Sequence, residues 1–300
     1  MTNRSAALVN NPSTRESCHS NSARRVIACL ILSTLFGCTT APLTSPPDEP
    51  TAREDNRLNA ILWQTTSAEY HVIAQSIYAT AQAQLERALA ERDWTALSTQ
   101  KENYRQLPPA IILDIDETVI DTGAFQRQMA RNNARFSSRP WREWQERNQP
   151  GAVPGAVEFI AAAQARGVTV FFLTNRDHAT EQTARRNLAA IGIALPKEID
   201  TVLSRGERPE WGSDKESRRQ FIAQSYRVLM LFGDDLADFI SDYRVAPEQR
   251  VSAALKHHEW GTKWFMLPNP MYGSWENSLY DFRPDLSPDE VSREKFNKLR

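Results

Sequence analysis

From residue 57 to about residue 94 the chain carries no proline, and Leu58, Ile61, Leu62, Val72, Ile73, Ile77, Leu85 and Leu89 recur at spacings of three, four and seven. That period predicts one long amphipathic helix or two broken ones. Pro108-Pro109 stops any helix, and Ala110-Ile111-Ile112-Leu113 follows as a short continuous apolar run, the kind found in a strand buried on both faces. Similar runs return at 168–173, 201–203, 228–232 and, more weakly, 264–267. The stretches 155–166, 179–191 and 215–224 between them read as helices. This alternation predicts an α/β fold, a mainly parallel sheet flanked by helices on both sides and preceded by N-terminal helices. Residues 123–150, polar and aromatic with Trp141 and Trp144, interrupt the pattern just after the first strand and read as a small helical cap. No internal repeat is visible.

The first 56 residues follow a different pattern. Residues 1–21 are polar, Arg24-Arg25 follow, and 26–36 form an apolar run broken only by Ser33 and Thr34. This is the arrangement of an export signal, and the run is shorter than the ~20 apolar residues of a bilayer-spanning helix. It closes as Leu35-Phe36-Gly37-Cys38, which resembles a bacterial lipobox, with Cys38 as the residue that is acylated and becomes the new N-terminus. Residues 39–51, rich in Thr, Pro and Ser, suit a flexible tether. Cys18 and Cys29 would be removed with the signal, so no intrachain disulfide is expected in the mature protein. Thr39 is not the Asp type of inner-membrane retention signal, which favours an outer-membrane lipoprotein. The domain organisation expected is a signal over 1–37, a tether over 38–56, a catalytic domain over 57–285 and a tail over 286–300.

Composition narrows the class. Lys and Arg total 36 against 37 Asp and Glu, a net charge of −1, which lacks the basic excess needed to bind a nucleic acid polymer. A hydrophobic content of 41% supports a sizeable core rather than a disordered chain.

Candidate chemistry gathers where the apolar runs end. The first run leads into Asp114-Ile115-Asp116-Glu117-Thr118, and two acids so close repel unless a cation or a shared proton relieves them, which suggests a hard divalent metal such as Mg2+. A polar turn after a strand would look the same. The second ends in Thr174-Asn175-Arg176, whose hydroxyl and amide can bind phosphoryl oxygens without adding negative charge, or can simply cap the next helix. Lys215 opens a helix and could neutralise a nucleophilic carboxylate and a transferring phosphate, although most helix lysines are only solvated. The fourth run ends in Gly233-Asp234-Asp235-Leu236-Ala237-Asp238, which places one carboxylate at a metal and a second behind it. His178, His257 and His258 are alternative catalytic residues, but no His/Cys cluster has zinc spacing.

The order and type of these motifs resemble the haloacid dehalogenase-like (HAD) phosphohydrolases. Trp63 with Ser67-Ala68-Glu69-Tyr70, the stretch from Pro154 to Phe159, and Leu267-Pro268-Asn269-Pro270-Met271-Tyr272-Gly273-Ser274-Trp275-Glu276 bring the resemblance closer, to the class C acid phosphatases of subfamily IIIB, the lipoprotein e group of bacterial outer-membrane 5′-nucleotidases. It covers about residues 58–280. The resemblance implies a HAD-like Rossmannoid sheet and a Mg2+-dependent acid phosphatase acting on phosphate monoesters: nucleoside monophosphates, nicotinamide mononucleotide and aryl phosphates. It makes Asp114 the nucleophile and Asp116 the general acid and base. Thr174, Asn175 and Lys215 would hold phosphoryl oxygens. The metal would sit on the Asp114 carboxylate, the Asp116 backbone carbonyl and Asp234, with Asp238 in support. Trp141, Trp144 and Tyr272 are candidate walls for stacking a base, or else packing residues. A dehalogenase would lack Asp116. A phosphotransferase, a non-catalytic ligand-binding lipoprotein and a homodimer are all compatible with the same sequence.

Overall fold

The computed structural model describes residues 57–299. The expected signal, the tether and Cys38 lie outside the described residues.

The chain enters through α1 (Leu58–Thr66) and α2 (Ala68–Ala90) and then forms β1 (Pro109–Leu113). The cap follows as β2 (Ile120–Asp121), α3 (Gly123–Arg131), α4 (Ser138–Arg147) and β3 (Gly151–Ala152). Strands and helices then alternate through α5 (Ala156–Ala165), β4 (Thr169–Asp177), α6 (Glu181–Ala190), β5 (Val202–Arg205), α7 (Glu216–Ala223) and β6 (Arg227–Gly233). The last elements are α8 (Pro247–Ala254), β7 (Trp264–Met266), α9 (Ser274–Ser278) and α10 (Pro288–Asn297). The five long strands form one sheet in the order β5-β4-β1-β6-β7, and every neighbouring pair is parallel. This is the α/β architecture that the alternating runs predict.

Side-chain alternation along the strands divides the core in two. Ile111 and Leu113 of β1, with Val170 and Phe172 of β4, face Tyr78 and Leu85 of α2, Phe159 of α5 and Leu188 of α6. Ala110 and Ile112, with Phe171 and Leu173, face the opposite layer, where Ile222 of α7 and Ala253 of α8 pack. Helices on both faces explain why β1 is apolar at every position.

The N-terminal helical segment breaks at Ser67, whose hydroxyl accepts from the Tyr70 amide at 3.1 Å and so caps α2. The break turns α2 across the sheet. There the Tyr78 hydroxyl donates to the Thr118 carbonyl at 2.6 Å and its ring stacks on Phe232 at 5.5 Å, pinning the loop that follows β1. The cap is closed at its base by antiparallel pairing of β2 with β3. Gly123 allows α3 to approach α1, since a Cβ there would run into the Thr65 side chain.

Three local expectations change. The strand ending in Thr174-Asn175-Arg176 continues to Asp177, and Asp177, not Thr174 or Asn175, caps the turn of 3-10 helix at His178–Thr180 that leads into α6. Lys215 stands at the cap position just before α7 rather than inside it. Residues 286–300, set apart in the sequence as a tail, contain α10. A Ser287/Glu290 capping box with Pro288 in the first turn starts that helix.

Candidate active site

In a parallel sheet, ligands meet the chain beyond the carboxyl ends of the strands. Here β1 and β6 deliver Asp114 and Asp234 side by side, because the backbone ladder between them continues to the Asp114 amide, which donates to the Phe232 carbonyl at 3.0 Å. The chain then folds into a 3-10 turn, Leu236–Asp238. Asp235 caps it by accepting from the Ala237 amide at 2.9 Å, and the Asp238 carboxylate accepts from the Asp235 amide at 3.1 Å. That turn brings Asp238 back against Gly233, where any Cβ would collide with its carboxyl group. Asp114, Asp234 and Asp238 thereby place carboxylate oxygens within 4.8 Å of one another. Asp238, expected behind Asp234 as support, contributes an oxygen to the same group.

Lys215 answers part of this negative charge. Its ammonium contacts Asp114 and lies 2.6 Å from Asp238, and all three side chains are buried. Asp234 is met by two neutral donors, Asn269 Nδ2 at 2.7 Å and Thr118 Oγ1 at 3.3 Å. One ammonium among three carboxylates leaves an excess of negative charge. Burial, reinforced by Asp238 and Asp116 and opposed by Lys215, pushes Asp114 from the usual 3.8 up to about 7. Burial and then the neighbouring Asp114 and Asp238 push Asp234 well above its usual value. The Lys215 ammonium resists burial, but the two carboxylates outweigh that cost and raise it too. A set of hard oxygen donors that is short of positive charge fits a divalent cation.

Asp116 and Asn175 join Asp114, Lys215 and Asp234 in the wall of one cavity of about 1140 Å³. Asn175 is also tied into the scaffold, its Nδ2 donating to the Ser213 carbonyl at 3.0 Å and its Oδ1 accepting from Arg218 at 2.8 Å. These bonds hold the loop that presents Lys215. Thr174 does not line the cavity; it is fully buried, and its hydroxyl accepts from the Arg176 amide at 3.0 Å. Of the three aromatic candidates, Trp141 and Tyr272 line the cavity. Trp144 is not part of that wall: at 5% exposure it is buried in the cap cluster with Phe125 and Met129, stacked on Trp141 at 5.5 Å. None of His178, His257 and His258 lines the cavity. His178 forms a separate group with Glu181 and Glu207, where Arg185 takes up Glu181 at 2.8 Å.

Several residues take parts in the site that the sequence does not assign them. Arg176 grips Asp116 with Nη2 at 2.6 Å from Oδ1. Arg218 is buried, donating to the Thr174 carbonyl at 2.6 Å. Glu117 is buried with its backbone in the left-handed region, φ 60°, and its carboxylate accepts from Gln64 and Thr122. Val291 and Lys295 of α10 form part of the cavity wall, and Lys295 is paired with Glu276. For Arg218 the usable hint is its position three residues after Lys215, the cap residue of the same helix.

A family model of the HAD superfamily, subfamily IIIB (acid phosphatase), matches residues 47–275. The structure is similar to that of the class C acid phosphatase from Bacillus anthracis, with a TM-score of 0.70 and 28% identity over 81% of this chain and 96% of that one. It is also similar to the crystal structure of the class C acid phosphatase from Bacillus anthracis with tungstate bound, with a TM-score of 0.72 and 27% identity over 83% of this chain and 98% of that one.

The raised carboxylates set a pH dependence. An acid held above its unfolded pKa stabilises the fold while protonated, so the contribution of Asp114 is full below about pH 4 and is lost as the pH rises through about 7. A divalent cation competes with those protons, so adding Mg2+ to EDTA-treated protein should raise Tm more at about pH 8 than at about pH 5. Thermal melts check this, and an equal gain at both pH values would contradict it.

Proposed function

The chain belongs to the acid phosphatases of HAD superfamily subfamily IIIB, which are phosphoric monoester hydrolases, and from that membership we propose that it is a Mg2+-dependent 5′-nucleotidase working through an aspartyl-phosphate on Asp114. The observation that carries the reading is the buried contact of Lys215 with Asp114, beside Asp234 and Asp238, on the floor of a cavity walled by Trp141 and Tyr272. Lys215 orients the Asp114 carboxylate and supplies positive charge for the incoming phosphoryl oxygens. Asp114 attacks phosphorus in line, forming an oxygen–phosphorus bond as the bond to the leaving alcohol breaks. Asp116 gives that alcohol a proton. It then takes one from the water that attacks the same phosphorus and frees Asp114.

Mg2+ would be held by Asp114, Asp234 and the Asp116 backbone carbonyl, with Asp238 adjoining, and supplies charge neutralisation that lets a phosphate dianion enter among these acids. The bound tungstate in the similar Bacillus anthracis enzyme supports a tetrahedral oxyanion site on this fold. Asn175 is the neutral group nearest in kind to a phosphoryl ligand. Trp141 and Tyr272 offer flat faces to a nucleobase, nicotinamide or aryl ring, and such stacking contributes about 1–3 kcal/mol per base without selecting among bases. We also propose that the protein is exported and anchored in the outer membrane through Cys38, with residues 38–56 as the tether. A diacylated Cys38 at the mature N-terminus, found by mass spectrometry, is the expected mark, and an unmodified N-terminus counts against it.

Phosphate release from nucleoside monophosphates, nicotinamide mononucleotide and p-nitrophenyl phosphate tests the activity. Turnover should require Mg2+, be lost with EDTA, and disappear in Asp114→Asn while the thermal melt stays cooperative. Full activity in that variant would remove the mechanism. Transfer to an added alcohol in preference to water would make the protein a phosphotransferase, and binding without turnover would leave a ligand-binding lipoprotein.

A further inference from the structure

The mechanism above gives Asp116 two proton transfers but does not say what fixes the carboxylate that performs them. Arg176, at the end of β4, supplies the answer. Its Nη2 lies 2.6 Å from Asp116 Oδ1, and its Nε lies 3.2 Å from Oδ1 and 3.0 Å from Oδ2. The guanidinium is itself fixed on several sides. Nη1 donates to Asn187 Oδ1 of α6 at 2.9 Å, and Asn187 in turn donates to the Gln145 carbonyl in the cap at 3.4 Å. The Trp141 ring centroid lies 5.4 Å from the guanidinium carbon, and Thr174 accepts from the Arg176 backbone amide.

A buried ion pair is weak evidence for stability, because desolvation consumes most of its attraction. This pair also lies open to the cavity on one side: Arg176 is 1% exposed and Asp116 19% exposed, and both, with Trp141, line the cavity wall. The two oxygens of Asp116 are not equivalent. Oδ1 accepts from two guanidinium nitrogens and Oδ2 from one. Oδ2 therefore keeps the greater free acceptor capacity.

We propose that Arg176 is the positioning residue for proton transfer: it turns Asp116 so that Oδ2 carries the proton, and through Trp141 and Asn187 it ties that orientation to the cap. The proposal rests on the general-acid reading of Asp116. In the first step the proton on Oδ2 passes to the ester oxygen as the bond from phosphorus to that oxygen breaks and the bond to Asp114 forms. In the second, the attacking water gives its proton to Oδ2 as the bond between Asp114 and phosphorus breaks.

Positioning of a general acid has a signature that packing damage lacks. Proton donation matters most for poor leaving groups, so its loss steepens the dependence of kcat/KM on leaving-group acidity. The test uses phenyl phosphates of one size, substituted from nitro to methoxy. Arg176→Lys keeps the charge and loses the fork geometry. It should lower kcat/KM about thirtyfold on the methoxy compound and less than about threefold on the nitro compound, a partial loss of the roughly 10²–10⁴-fold that general acid catalysis contributes in full. Asn187→Ala, which leaves Arg176 and Asp116 in place, should steepen the series in the same direction but less, and decides the matter if Arg176→Lys does not fold. Equal losses along the series, or none, would overturn the proposal. Asp116→Asn separates the two readings. A steep series there with a proportional loss in Arg176→Lys rejects only the role of Arg176, whereas a flat series removes the general acid and its positioning residue together.

Discussion

Mutual repulsion of carboxylates is the constraint around which this molecule is organised. Asp114 and Asp238 are buried and Asp234 is half-buried, with oxygens within 4.8 Å of one another, and Asp116 stands beside them. Such a group is unfavourable unless positive charge is brought into the same low-dielectric region. The fold supplies it from two elements. α7 and its cap residue contribute Lys215, which meets Asp114 and Asp238, and Arg219, which donates to the Asp238 carbonyl at 2.7 Å. From the same helix Arg218 lies buried between backbone carbonyls, and β4 contributes Arg176 against Asp116. Even so, burial first and the neighbouring acids next raise both Asp114 and Asp234. A divalent cation and a phosphate ester would complete the charge pattern together, which is how an acidic site comes to bind an anion.

The second requirement is rigidity, since these charges act only at fixed distances. The loop after β1 is held by the Tyr78 hydroxyl on the Thr118 carbonyl and by Glu117, whose left-handed backbone is retained by Gln64 and Thr122 around its carboxylate. Burial pushes the Glu117 acid well above its usual range, so it sits there as a hydrogen-bonded anchor more readily than as another charge. The loop after β6 is held by Asp235, which caps its own turn and also accepts from Ser274, two residues after Tyr272. The acids that follow β1 and β6 and the aromatic wall are thus fastened to one another as well as to the sheet.

Much of this was legible in the sequence because it depends on local pattern. Buried strands announce themselves as apolar runs, and the residue after each run falls at the carboxyl edge whatever the long-range packing. That logic found Asp114 and Asp234, whereas Lys215, at the start of a helix, stood out only through the order of the motifs. It could not find partners defined by tertiary approach: Asn269 reaches Asp234 across 35 residues and Gln64 reaches Glu117 across 53, and although Asn269 lies in a stretch that carries the family resemblance, no local pattern names either contact. Trp141 and Trp144 lie three apart on one helix, so spacing placed both on the same face and did not say which faced the cavity. Thr174 looked like a phosphate ligand by residue type, and its burial follows from the strand continuing past it to Asp177. α10 was missed because its pattern is mostly polar, although its capping box was in view.

The central claim is that the carboxylate held by Lys215 becomes covalently phosphorylated. Rapid acid quenching during turnover of a substrate labelled in its phosphoryl group, followed by peptide mapping, tests it directly. Acid-stable, hydroxylamine-sensitive label should appear on the peptide containing Asp114 and be absent from Asp114→Asn. Steady turnover with no label at any quench time, or label on a different residue, would contradict the account.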